Sequence, residues 1–345
     1  MRYESVHLEA FGHALPEEVV TSEALERRTD ALYERLGLSV GRLELMSGIR
    51  TRRFWPPGTR PSAVAAAAGR DAIERSGVDP AQLGCLIHAS VCRDFMEPAT
   101  ASVVHANLGL PASCQAFDLS NACLGFANAM TVVADKIERG EIQAGLVVAG
   151  EDGRGLVDET VRMLNDDPNI GRKEMKAAYA SLTIGSGAAA LVLTAASISR
   201  VPRKLLGGTI RAATEHVELC SGGTQKSGSG PLMDTDSEAL LLAGNALART
   251  TWEGFVDEFG WDAATIDRIV THQVGSAHKR LLFETLGLDH AKDFTTVEEY
   301  GNIGSVSLPL TFALAEQVGF IHEGHKVVMQ GIGSGLHCLM LAVQC

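Results

Sequence analysis

The strongest constraint on how this chain folds is a rhythm that runs through it twice. In each half an apolar run, a helical pattern, a second apolar run, a tight glycine turn and a third apolar run follow one another. Ile184-Gly185-Ser186-Gly187 leads into the apolar stretch 188–194, and Ile332-Gly333-Ser334-Gly335 leads into the last apolar stretch of the chain. A four-residue match is weak alone; the agreement of the flanking strands carries the argument. Apolar runs alternating with helical patterns predict an α/β fold with buried sheets. The repeat predicts two similar halves, residues 1–195 and 196–345.

Apolar residues make up 46% of the chain and charged residues 21%, which excludes a disordered polymer. The net charge of −12 argues against nucleic acid as a partner. The cysteines at 85, 92, 114, 123, 220, 338 and 345 show no CxxC or Cys/His spacing, so no metal site is expected and a reducing, cytoplasmic setting is. No apolar run approaches the roughly 18 to 20 residues that would predict a membrane span.

The pattern predicts a strand at 3–12, one charged surface helix at 22–36, a loop with three arginines at 48–57, and a helix capped by Ser62 that ends at Gly77. Residues 86–91 and 145–151 read as buried strands, and 153–180 as a charged insertion outside the core. Further on, 205–214 reads as a strand, 221–230 as a flexible polar loop, 237–259 as a long helix and 266–274 as a strand.

Between these lies Asp118-Leu119-Ser120-Asn121-Ala122-Cys123-Leu124-Gly125-Phe126, which delivers Cys123 to the start of a helical stripe, Leu124, Ala127, Met130, Val133 and Ile137. The positive end of a helix dipole favours a thiolate, making Cys123 a candidate nucleophile; a buried structural cysteine is the alternative. His272 closes an apolar strand, and Asn302 sits in a Gly-Asn-Ile-Gly turn. Singly, these read as a packed histidine and a turn residue. Jointly the three suit thioester chemistry: the cysteine takes an acyl group, and the other two donate hydrogen bonds to an oxygen gaining negative charge. Gly331-Ile332-Gly333-Ser334-Gly335 lies between strands with no helix start after it, so it is not a dinucleotide fingerprint; close packing around the cysteine is the simpler use.

With Cys123, His272 and Asn302 in this order, the chain resembles the thiolase superfamily, and most of all its ketoacyl synthase III branch. The stretches that carry the resemblance are Asn121-Ala122-Cys123-Leu124-Gly125, Thr271-His272-Gln273-Val274, Gly301-Asn302-Ile303-Gly304-Ser305 and the glycine turn at 331–335. It implies a thiolase-like five-layer αβαβα fold made of two duplicated halves, the first carrying the cysteine and the second the histidine and asparagine, in a homodimer. Within the branch, Ser90-Val91-Cys92-Arg93-Asp94-Phe95-Met96-Glu97-Pro98-Ala99-Thr100-Ala101-Ser102 is similar to the OleA-type subfamily, which joins two fatty acyl-CoAs head to head in bacterial long-chain olefin synthesis.

That resemblance implies an acyltransferase catalysing non-decarboxylative Claisen condensation to a 2-alkyl-3-ketoacyl-CoA, in an olefin or β-lactone type of pathway with downstream enzymes as further partners. No separate cofactor is expected, because coenzyme A is part of the substrates. Cys123 is then the nucleophile, Glu97 the general base supplied by the partner subunit, and His272 and Asn302 the groups that stabilise the oxyanion and enolate. A plain acyl-CoA has no carboxylate to expel as CO₂, so a base has to remove its α-proton. A surface carboxylate, or an ion pair with Arg93, is the other reading of Glu97. Arg203, Lys204, Lys279 and Arg280 are candidates for the CoA phosphates, beside the plain reading of a solvated basic surface. The same-fold alternative is a decarboxylative 3-oxoacyl-[acyl-carrier-protein] synthase III using a malonyl thioester. A non-catalytic acyl-carrier-binding scaffold is the alternative of a different class.

Overall fold

A strand that is apolar at every position has to be covered on both faces, so the continuous apolar runs go to the inside of layered sheets. The computed structural model describes residues 1–224 and 231–345. In chain order its strands are β1 (Val6–Ala14), β2 (Glu18–Thr21), β3 (Thr51–Phe54), β4 (Leu83–His88), β5 (Gln115–Asp118), β6 (Ala144–Glu151), β7 (Gly187–Ala195), β8 (Lys204–Ala212), β9 (Cys220–Thr224), β10 (Pro231–Thr235), β11 (Arg268–Thr271), β12 (Lys326–Gly333) and β13 (His337–Gln344). Among the described residues the main array runs β11-β12-β13-β8-β1-β7-β6-β4-β5.

One antiparallel pair, His7 with Lys204, joins β1 to β8, and the array divides there. From that seam the first sheet runs β1-β7-β6-β4-β5 and the second β8-β13-β12-β11. Asp293 bridges Ile269 of β11 in parallel, as β5 flanks β4 in the first sheet. The two sheets thus share one strand order, antiparallel near the seam and parallel farther out.

Three apolar clusters fill the spaces between layers. Helices Pro61–Ser76 and Thr100–Leu108 cover the outer face of the first sheet through Ala65, Ala68, Ala72 and Val104. Helices Gly125–Glu138 and Ser307–Gln317 lie between the sheets, with Met130, Val133, Leu310 and Phe312 against Val147 and Leu191 on one side and Met329 and Leu341 on the other. Helices Ser237–Phe259 and Ser276–Leu286 cover the second sheet with Trp252, Phe255 and Phe283. This is the αβαβα order, and the predicted stripe of Leu124, Ala127, Met130, Val133 and Ile137 is buried throughout.

Four local expectations change. The helix expected at 22–36 is two, Ser22–Arg27 and Asp30–Leu36. Part of the arginine loop is β3, paired with β2, because Arg52 turns inward and donates to Ser22 Oγ (3.0 Å) and the Leu182 carbonyl (3.1 Å). Ser62 is not a cap: the helix starts at Pro61, and Asp94 accepts from both the Ser62 N–H (2.9 Å) and its hydroxyl (2.6 Å). The stretch at 153–180 is not a loose insertion. It forms helices Arg154–Asp166 and Arg172–Leu182, whose Val157, Leu164, Met175 and Tyr179 build a fourth cluster with Leu25, Tyr33, Leu43 and Phe54. Of the loop expected at 221–230, the first residues belong to β9 and the rest fall outside the described residues. No helix of the described residues is long and apolar enough to cross a membrane.

Candidate active site

Parallel strands deliver their carboxyl ends to one edge of a sheet, where α/β folds place their sites. Here β5 leads into Cys123, β6 ends at Glu151, β11 leads into His272 and β12 ends at Gly333. The turn before the nucleophile is tight. Ala122 adopts φ 44°, a left-handed conformation that costs a non-glycine residue about 1–3 kcal/mol. Leu124 N–H donates to the Asn121 carbonyl (2.9 Å) and Gly125 N–H to that of Ala122 (3.2 Å), so the helix proper begins at Gly125, two residues beyond the cysteine.

The glycine turn of the second half packs onto this one. A Cβ on Gly331 would lie 2.4 Å from Leu124 Cδ2 and 3.7 Å from His272 Cβ. A Cβ on Gly333 would lie 3.1 Å from Leu124 Cγ and 3.6 Å from the Cys123 nitrogen. The glycines therefore let β12 approach the cysteine turn while flanking His272, which its own N–H fixes to the Gln330 carbonyl (2.7 Å). The next residue locks the strand end: Gln273 donates to the Phe294 carbonyl (2.6 Å) and accepts from the N–H groups of Thr296 (2.9 Å) and Val297 (3.0 Å).

Asn302 is fixed against the turn that leads into β7. Its backbone pairs with Thr183 and Gly185 (both 2.9 Å), and its side-chain oxygen accepts from Gly304 N–H (3.0 Å). The following turn touches Glu151, a residue that sequence reasoning passed over. Glu151 is 5% exposed and accepts from Val91 N–H (3.0 Å), Cys92 N–H (3.1 Å) and the Ser305 hydroxyl (2.7 Å). A carboxylate ending an otherwise apolar parallel strand was the available signal.

The electrostatics revise one expectation. Desolvation, then the nearby Cys220 and Glu151, push the Cys123 thiol up to about 12, against the backbone hydrogen bond that lowers it. Desolvation of the sulfur thus outweighs the one backbone contact that lowers it and favours the thiol over the thiolate. Burial, helped by His278, lowers His272 to about 4, so the ring is neutral at pH 7. Among the described residues neither of its buried ring nitrogens has a hydrogen-bond partner. Such orphaned groups cost about 1–3 kcal/mol each unless a ligand satisfies them.

Glu97 is exposed on the loop 91–98, and among the described residues no ion pair joins it to Arg93. That loop is anchored at its base by Glu151, by Asp94 on Ser62 and by Arg60 over the Phe95 ring (5.5 Å). Its apolar side chains face out: Met96 is 99% exposed and Val91 56%. The four candidate phosphate-binding cations fare differently. Arg203 is buried between Phe11 and Phe312 and ion-paired to Glu316, so it is not a free cation. Lys204 pairs with Gln344, at the end of the sheet opposite Gly333, so strand direction carries it away from the cysteine. Lys279 is held by Asp293 (2.6 Å) and Thr295 (2.5 Å). Arg280 is exposed on the helix that follows His272.

Comparison with known proteins agrees with this layout. Residues 57–166 match the family "Thiolase, N-terminal domain", and residues 256–345 match "3-Oxoacyl-[acyl-carrier-protein (ACP)] synthase III C terminal". The acyl-CoA:acyl-CoA alkyltransferase of Shewanella oneidensis is 38% identical over 350 residues, covering 100% of both chains. The chain belongs to the OleA family. The Xanthomonas campestris acyl-CoA:acyl-CoA alkyltransferase is 35% identical over 99% of each chain. A β-ketoacyl-[acyl-carrier-protein] synthase III of Neisseria meningitidis, by contrast, is 28% identical over 94%. A Xanthomonas campestris OleA crystal structure with cysteine replaced by serine, holding lauric acid and lauroyl-CoA, superimposes with a TM-score of 0.94 at 34% identity, over 99% of this chain and 100% of that one. Other OleA structures carry replacements at a glutamate and at that cysteine, which stand as far apart in that sequence as Glu97 and Cys123 do here. This chain is thus a thiolase-superfamily acyltransferase of the OleA type.

Proposed function

We propose that this enzyme condenses two fatty acyl-CoA molecules head to head, in the cytoplasm, as a homodimer of two-halved subunits divided near residue 195. The single observation that carries the reading is the loop 91–98, which holds a carboxylate among outward-facing Val91, Phe95 and Met96. Such a tip calls for an apolar partner surface. The outer edge strand β5 lies at the same margin of the sheet, and pairing it with its copy would close that edge. Taken into the partner's site, Glu97 loses water, and a carboxylate in an apolar setting is the stronger base.

The reaction then balances as follows. The Cys123 sulfur attacks the first acyl-CoA; the thioester to coenzyme A breaks, and the thiol proton leaves with coenzyme A. Glu97 of the partner subunit takes an α-proton from the second acyl-CoA. His272, neutral and with a free N–H, and the Asn302 amide donate to the enolate oxygen. The enolate carbon attacks the Cys123 thioester and expels the thiolate, which recovers the proton held by Glu97. The product is a 2-alkyl-3-ketoacyl-CoA, the substrate for downstream pathway enzymes. Coenzyme A comes and goes with the substrates, with no separate cofactor. Of the four cations, Arg280 is the one we retain for the CoA phosphates, since it is exposed on the helix that follows His272.

The test is incubation with one saturated fatty acyl-CoA and no malonyl thioester. Release of coenzyme A with a 2-alkyl-3-keto product supports the reading; turnover only when malonyl carrier protein is added would replace it with the decarboxylative one.

A further inference from the structure

We propose that Glu151 is a positioning residue that sets the Glu97 loop in register with the Asn302 turn. The inference rests on the roles given to Glu97 and Asn302 above. Glu151 is the last residue of β6, and along that strand Val147 and Ala149 face the layer between the sheets, where the helix after Cys123 lies. Strand alternation puts Glu151 on the same face. Its nearness to the nucleophile is independent of that count, since its charge contributes to holding the Cys123 thiol protonated.

The carboxylate works as an acceptor for three donors from two chain segments. Oε1 takes Val91 N–H and the Ser305 hydroxyl; Oε2 takes Cys92 N–H. Val91 and Cys92 open the loop that carries Glu97. Ser305 belongs to the turn that carries Asn302, and Gly304 between them packs so closely that a Cβ there would lie 3.3 Å from Oε1. Gly304 N–H in turn holds the Asn302 oxygen (3.0 Å), which directs the amide N–H₂ away from that contact. No ion pair to Glu151 occurs among the described residues, so its service to both segments is through acceptor lone pairs.

An ionised carboxylate is acceptor-only, whereas an amide presents two N–H groups. Glu151→Gln keeps the size but, whichever way the amide turns, sets its N–H₂ against the Val91 or the Cys92 N–H, so the 91–92 anchor is weakened, whereas the Ser305 hydroxyl can accept as well as donate. Ser305→Ala removes the link on the Asn302 side alone and leaves the 91–92 anchor intact. Neither side chain bonds to the cysteine turn, and loss of the Glu151 charge would lower the Cys123 thiol rather than raise it, so acylation is not impaired.

The experiment uses the full-length enzyme with lauroyl-CoA. Intact-mass spectrometry follows acyl transfer to Cys123. Deuterium uptake at the α-carbon in D₂O, together with product formation, follows the second half-reaction. For Glu151→Gln, acylation is expected within about threefold of wild type, with α-exchange and condensation down about 10²-fold, the cost of misplacing reacting groups by about 1 Å. Ser305→Ala is expected to keep acylation within about threefold of wild type but to lose about tenfold in both α-exchange and condensation, because the base stays while the enolate's donor drifts. Equal loss of acylation and condensation in both variants, or no loss in either, would overturn the inference. If Glu151→Gln does not fold, Ser305→Ala decides by the same criterion. A wild type that makes no product retires the reading of Glu97 and Asn302, and this inference with it.

Discussion

Replacing Gly331 with alanine tests whether the two halves really assemble the nucleophile between them. The new methyl carbon would sit 2.4 Å from Leu124 Cδ2. Carbon atoms in contact prefer about 3.5–4.0 Å, so something has to move by about 1 Å. Leu124 is fully buried against the central layer and has little room to swing. The same methyl would be 3.7 Å from His272 Cβ, an ordinary contact, so the push falls on the cysteine turn rather than on the histidine. Overpacking of this kind costs about 1–3 kcal/mol of stability. A displacement of about 1 Å at a reacting group costs about 10²-fold in rate. The assay is the rate of acyl transfer to Cys123 followed by intact mass, with thermal unfolding alongside. The double variant Gly331→Ala/Leu124→Ala is expected to recover part of that rate, since the smaller side chain vacates the space. Wild-type acylation in Gly331→Ala would refute the reasoning, because it would mean that Leu124 rotates away and the close approach is unnecessary.

Other consequences follow from the same geometry. Because the Cys123 thiol is pushed up to about 12, its alkylation by iodoacetamide should rise about tenfold per pH unit from pH 7 to 10 with no plateau; a plateau near neutrality would show a preformed thiolate. His272 is lowered to about 4, so its neutral form stabilises the fold above the ordinary histidine range near 6.5, and that contribution is lost as pH falls through 4. The swing amounts to about 3 kcal/mol for a 1.36 kcal/mol-per-unit shift. His272→Asn should therefore show a shallower acid loss of stability in urea titrations at pH 7 and 4.5; an unchanged pH slope would contradict this. Sedimentation at micromolar concentration should give a dimer, and Met96→Asp should shift it toward monomer; an unchanged dimer would remove the 91–98 tip from the interface.

Much of the architecture was legible because burial writes itself as periodicity. The helix Ser237–Phe259 coincides with its sequence reading, and the stripe beginning at Leu124 reads straight onto the central layer. The two helices in 153–180 were missed because their charged outer faces dominate the composition, while Val157, Leu164, Met175 and Tyr179 are too spread out to look like a core. β3 was missed because an arginine at its centre, Arg52, is buried against partners far away in the chain. At the site, the types and order of Cys123, His272 and Asn302 were readable, but their protonation was not. The helix-start argument favoured a thiolate, and burial, a property of the assembled layers, reverses it. Arg203 and Lys204 adjoin in sequence, yet one sits in a buried ion pair and the other at the far end of the sheet; only the strand order separates them from the site.

The most direct test of the central claim mixes two inactive variants, Glu97→Ala and Cys123→Ala, under conditions in which dimers exchange subunits. If Glu97 serves the partner's cysteine, each mixed dimer contains one intact site, made of Cys123 from one chain and Glu97 from the other. Random exchange makes half of the dimers mixed, so condensation should return to about one quarter of the wild-type rate. No recovery, with exchange verified, would contradict a base supplied across the dimer.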